Sequence, residues 1–164
     1  MPQITIDSSG WNSLVKRLKN YFHNGMSKDI NKASIEIANK YKSNIREGKD
    51  GAGNFMWNVT DSTMKQPIRY YEDAAIRGEV RSSRTPLYAR GDAISSIKSK
   101  KTSRGHEIGP TTKHGQLIFG VNEKSRTTKQ GNYVPARNPL IVSDVQLDII
   151  EKHILDGITK VIKG

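Results

Sequence analysis

Between Trp11 and Ile45 the large apolar side chains recur at steps of three and four residues. Trp11, Leu14, Val15, Leu18, Tyr21 and Phe22 share one face of a helix, and Ile30, Ala33, Ile37, Tyr41 and Ile45 share one face of another. Ser8 or Ser9 is placed to cap the first helix, Asn24-Gly25 to end it, and Gly48 to stop the second. The pair reads either as two helices or as one bent helix with Gly25 as the joint. Such a stripe is core rather than binding groove, because each large apolar side chain it buries contributes about 1.5–3 kcal/mol.

The remainder of the chain is more broken. Asp50-Gly51-Ala52-Gly53 is a turn cluster within a loop spanning about 49–67. Trp57 in that loop is expected to anchor it on the core; the other use of the ring is as a stacking platform for a base. Ile68 to Gly78 reads as a short third helix. Ala93, Ile94 and Ile97 suit one helical turn or the entry to a strand. Glu107-Ile108 and Gln116 to Val121 are short apolar runs among glycines and are read as antiparallel strands. Residues 122–132 form a loop or hairpin tip, and Val134 to Pro139 is held out of helix by its prolines. Ser143 caps a final helix with an apolar stripe at Val145, Ile149, Ile150, His153, Ile154, Ile158, Val161 and Ile162. Asp144 and Asp148 near its start and Lys160 and Lys163 near its end suit the helix dipole. The expected fold is α+β: N-terminal helices and a C-terminal helix packed on a small, mostly antiparallel β-sheet, with residues 1–164 as one domain. Hydrophobic residues make up only 34% of the chain. A core that lean implies long loops, or surfaces covered by neighbouring subunits.

Candidate chemistry is sparse. The chain has no cysteine, which excludes disulfides and thiolate metal sites. No two of His23, His106, His114 and His153 stand at a metal-ligand spacing, although His106 and His114 share a glycine-rich region. Asp144, Asp148 and Glu151 fall on one helix face, a row more often solvated than catalytic. There is no Gly-x-Ser-x-Gly elbow and no phosphate-cradling lysine loop. The expectation is a protein that is not an enzyme and has no cofactor or metal. No apolar stretch approaches the ~18 residues of a membrane span, and Met1 to Gly10 lacks the pattern of a signal peptide. Synthesis and use in a cytoplasm are therefore expected.

The formal net charge is +11. Arg81, Arg84, Arg90, Lys98, Lys100, Lys101 and Arg104 cluster in one segment with Asp92 as its only acid. The segment is either a contact surface or a solvated face that keeps the protein in solution.

Three segments, in order, resemble the tail-completion and virion-morphogenesis proteins of tailed bacteriophages, part of a wider set of neck and tail-terminator proteins. The first is Asp50-Gly51 followed by Trp57, Val59 and Thr63. The second is Pro86-Leu87-Tyr88-Ala89-Arg90-Gly91-Asp92-Ala93-Ile94-Ser95-Ser96-Ile97. The third is Val134-Pro135-Ala136-Arg137 ahead of a capped amphipathic helix. The resemblance implies a structural virion protein that forms a ring, often hexameric. Such a ring completes or terminates the tail and joins it to the head at the neck. Its partners would be other copies of itself, tail tube or sheath proteins and head–tail connector proteins. Six globules of this size would leave an opening on the order of 35–40 Å, wide enough for passing genomic DNA. The candidate contacts between subunits or rings are Trp57, Arg81, Arg84, Arg90, Lys98, Lys100, Lys101, Arg104 and Arg137. The expected location is the head–tail junction of a virion assembled in the host bacterial cytoplasm. The rival expectation is a small basic DNA-binding protein. The charge favours it, but no helix is densely basic and no helix-turn-helix is visible.

Overall fold

The computed structural model describes residues 9–56, 91–127, 131, 133–134 and 139–163. Helix α1 runs Ser9–Asn20 and passes without a break through a widened π turn, Tyr21–Gly25, into helix α2, Met26–Arg46. Gly25 is therefore a joint and not an end. Its backbone is helical, so what matters there is space: a Cβ would stand 2.6 Å from Tyr21 Cδ2. The π turn sends the Tyr21 ring inward, where its hydroxyl lies 3.1 Å from Asp29 Oδ2 and 3.2 Å from the Ile154 carbonyl. Trp11 and Phe22, expected on the core face, are instead 66% and 50% exposed. Leu14, Val15 and Leu18 are half-buried. The five-residue turn shifts the helical phase, so one stripe cannot face inward on both sides of it.

Helix α2 buries Ala33, Ile37, Ala38, Tyr41 and Ile45, the face that its spacing predicts; Ile30 is half-buried. It ends at Gly48, with φ +76°. Gly48 N–H donates to the Ile45 carbonyl (3.0 Å) and Lys49 N–H to the Asn44 carbonyl (2.8 Å). This pair of bonds closes the helix C-terminus around a left-handed glycine.

A one-turn helix α3, Asp92–Ser95, leads into strand β1, Ile97–Thr102, which pairs antiparallel with β2, Gly105–Pro110. Ile97 is paired with Pro110 and Thr102 with Gly105, leaving a tip of Ser103 and Arg104. Helix α4, Lys113–Asn122, follows. The strand expected at Gln116 to Val121 is thus a helix. Thr112 caps it by accepting from the Gly115 N–H at 3.1 Å. A strand would put Leu117, Phe119 and Val121 on one face; here Phe119 is buried while Leu117 and Val121 face outward. Strands β3, Arg126–Thr127, and β4, Tyr133–Val134, form a second small antiparallel pair. Helix α5, Asp144–Lys163, completes the described chain. The helix expected at Ile68 to Gly78 lies outside the described residues.

The fold is α+β, with the long helices and the β1–β2 hairpin around one cluster: Ile37, Ala38, Tyr41, Ile45, Ala93, Ile94, Ile97 and Phe119. Ile149 and Ile150 of α5 pack against it. Val145 and Ile162, expected in the α5 core stripe, are exposed, and the buried positions of that helix are Gln146 and Gly157. Gly157 faces Asp29 and the Tyr21 hydroxyl, so α5 lies close against the bend.

Asp50-Gly51 serves the same packing. Gly51 sits where a Cβ would be 2.5 Å from Tyr41 Cε1 and 2.6 Å from the Ile141 carbonyl oxygen. Its own carbonyl accepts from Gln146 Nε2 at 2.6 Å, and the Asp50 carbonyl accepts from Asn44 Nδ2 at 3.0 Å. Gln146 Oε1 also accepts from the Ser143 backbone N–H (2.8 Å), so the residue caps α5 and pins the turn at once.

Candidate interaction surface

Four of the basic residues singled out in the sequence meet on one hairpin. Lys98, Lys100 and Lys101 stand on β1 and Arg104 at the tip, all exposed. Strand alternation splits them. Lys98 and Lys100 share the outward face, about 7 Å apart along the strand. Lys101 lies on the other face, opposite His106. The inward residues are Ile97, fully buried, and Ser99. Ser99 Oγ is 2.7 Å from Ser34 Oγ of α2 and 3.3 Å from His106 Nδ1, a polar chain that fastens the hairpin to the helix.

The hairpin keeps a net positive charge, with four cations against Glu107. Among the described residues the ion pairs are Lys32–Asp29, Lys49–Glu47 and His153–Glu36, and none involves the hairpin. Glu107, directly opposite Lys100, is the hairpin's own acid. Two lysines 7 Å apart in water repel by only ~0.6 kcal/mol, so the cluster costs the fold little. Among the described residues the sheet has two strands, and lysine on an edge strand discourages pairing with another strand.

Trp57, Arg81, Arg84, Arg90 and Arg137 lie outside the described residues. So do Pro86 to Arg90 and Pro135 to Asn138. Of the histidines, His106 joins the serine chain and His153 Nε2 sits 2.8 Å from Glu36 Oε2. Among the described residues no group of His, Asp and Glu is arranged to hold a metal ion, and no helix is long and apolar enough to cross a membrane. Asp144, Asp148 and Glu151 are exposed in a row on α5, outside any ion pair among the described residues.

A second basic feature escaped the sequence reading. Arg17, Lys28 and Lys160, from α1, α2 and α5, line one groove at the π turn with Asn20, Tyr21, Asn24, Gly25 and Val161; its volume is about 370 Å³. Their separation in the sequence hides them, and only the bend against α5 brings them together. At the groove's inner edge burial raises the Tyr21 phenol above its ordinary pKa, and the hydrogen bond and charge of Asp29 add to this. For Asp29 burial pushes the carboxyl up. Hydrogen bonds from Lys32 and Tyr21, with the charges of Lys32 and Lys160, outweigh it and hold the pKa below its usual value. Compared with known proteins, the chain matches no family model, no curated protein and no solved structure.

Proposed function

We propose that the protein is a non-catalytic assembly component of a tailed-phage virion. In this reading it completes or terminates the tail and joins it to the head at the neck, as a ring of identical subunits. The observation that carries the reading is the β1–β2 hairpin, whose Lys98, Lys100, Lys101 and Arg104 form no ion pair among the described residues, and which is fastened to α2 by its inward face. A projection with four cations and Glu107 as its single acid fits contact with an acidic surface. The same chain offers one in Asp144, Asp148 and Glu151 on α5. A contact between two different patches of identical subunits is heterologous, and it closes into a ring when the rotation allows. The three-segment resemblance to tail-completion proteins supplies the location.

The hairpin also supports a second reading, a small DNA-binding protein, since the same four cations suit phosphates. Protein contact is preferred, because tight phosphate binding would hinder a genome passing through the ring. The mass of the purified protein and a salt titration with duplex DNA separate the two. A closed oligomer with weak DNA binding at physiological salt is expected. A strict monomer that binds duplex tightly, with affinity falling steeply in log salt, would replace the ring with the DNA-binding reading.

A further inference from the structure

The groove at the π turn has an unusual cation. Arg17 Nε is closed off from solvent and has no hydrogen-bond partner among the described residues. A buried donor without an acceptor has lost its hydration and gained nothing in return, and the loss is larger for a charged group. Arg17 lines the groove beside Lys28 and Lys160, and among the described residues no carboxylate forms an ion pair with any of the three. Asp29, whose carboxylate feels the Lys160 charge, is already held by Lys32 Nζ at 3.0 Å and by the Tyr21 hydroxyl. Asn24 Nδ2 donates to Asn20 Oδ1 at 2.8 Å, which occupies that acceptor and leaves the Asn20 amide as a further donor at the wall.

We propose that this groove binds the phosphate group of a small phosphate monoester. Three cations from three elements converge on one concavity, which matches a dianion better than the single charge of a carboxylate or a backbone diester. A guanidinium offers Nε and one Nη as a planar fork for two oxygens of the same anion. A turn of the Arg17 side chain brings its unpaired Nε–H to the groove and relieves the unmet bond. The lysines then supply charge without geometric demand. The volume of about 370 Å³ exceeds what a bare phosphate needs, so a phosphate carried on a larger group fits the space. Phage assembly does not require this site, and the two proposals stand or fall separately.

Titration of the intact protein, followed through the backbone amide resonances of Asn20, Asn24, Gly25 and Lys28 at the groove wall, tests the site. The probes are inorganic phosphate, a nucleoside monophosphate, duplex DNA without terminal phosphates, and a glutamate-rich peptide. Saturable shifts with phosphate, and tighter binding of the nucleoside monophosphate, are expected. Arg17→Gln should weaken binding at least roughly tenfold. Arg17→Lys, which keeps the charge and loses the fork, should fall between. Lys28→Gln, on an exposed side chain, should also weaken binding and gives a second reading should Arg17→Gln perturb the fold. The proposal is overturned by an absence of saturable shifts, by native affinity in both Arg17→Gln and Lys28→Gln, or by an adventitious ion only, seen as shifts that never saturate. Duplex or peptide binding as tightly as the monophosphate would also overturn it.

Discussion

Glycine-to-alanine changes are expected to have opposite effects at two helical positions of this protein, because the space beside them differs. Gly157 on α5 faces the Tyr21 hydroxyl and the Asp29 carboxylate, so an added methyl forces α5 away from the bend. Gly157→Ala is expected to destabilise by about 1–3 kcal/mol in urea unfolding, the cost of overpacking. Gly120 on α4 has nothing among the described residues within 4 Å of an added Cβ. Gly120→Ala should stabilise by about 0.5–1 kcal/mol, because only the helix preference of alanine changes. Asp29 adds a pH dependence. Its folded pKa lies below its ordinary value, so its contribution to stability is fully present above the unfolded carboxylate pKa and fades as pH falls through the folded one. Asp29→Asn should therefore be less stable than the native chain near neutral pH. The gap should close on acidification below the ordinary carboxylate range. A gap that widens in acid would show that the contacts to Lys32 and Tyr21 do not favour the charged form.

At the scale of elements, α5 depends on one amide. Gln146 caps the helix through the Ser143 N–H and holds Gly51 through its carbonyl, 2.6 Å away. Gln146→Ala leaves both groups without that partner, and a loss of about 1–3 kcal/mol is expected by denaturant unfolding. Ser143 was readable as the residue before α5, where its hydroxyl donates to Gln146 Oε1 at 2.6 Å. The reach of Gln146 to Gly51 was not, since it joins residues far apart in the chain. The same division runs through the fold. The α2 stripe and the Gly48 stop were legible because helix periodicity and a left-handed glycine are local signals. Leu117-Ile118-Phe119 was misread because a short apolar run fits strand and helix equally, and the choice was made by the Thr112 cap and by the contacts of Gly115 with Ser96 and Pro110. Trp11 and Phe22 were misplaced because the π turn changes the helical phase, and the residues alone carry no mark of it. For the candidate surface, the basic run from Lys98 to Arg104 was visible as composition. Its splitting into two faces needed the strand register.

At the scale of the molecule, the proposed ring would set two electrostatic effects against each other. Each subunit carries a formal charge of +11, so copies repel at long range. The proposed contact brings Lys98, Lys100, Lys101 and Arg104 of one copy to Asp144, Asp148 and Glu151 of the next, so it attracts at short range. Screening separates the two by distance. At ~0.01 M salt the Debye length is about 30 Å and repulsion between whole subunits acts; at ~0.15 M it is about 8 Å and mainly contact pairs remain; at ~1 M it is about 3 Å and these weaken too. Assembly should therefore rise from low to physiological salt and fall again towards molar salt, as measured by light scattering or native mass. A steady rise with salt would point to an apolar contact, and a steady fall to a different charge arrangement. Charge reversal then identifies the partners. Lys100→Glu alone and Asp148→Lys alone should each reduce assembly at physiological salt, because each opposes like charges. The double variant restores opposite signs across the contact and should recover much of it. If the double variant assembles no better than the worse single one, the hairpin and the α5 row do not meet, and the ring would have to close through another surface.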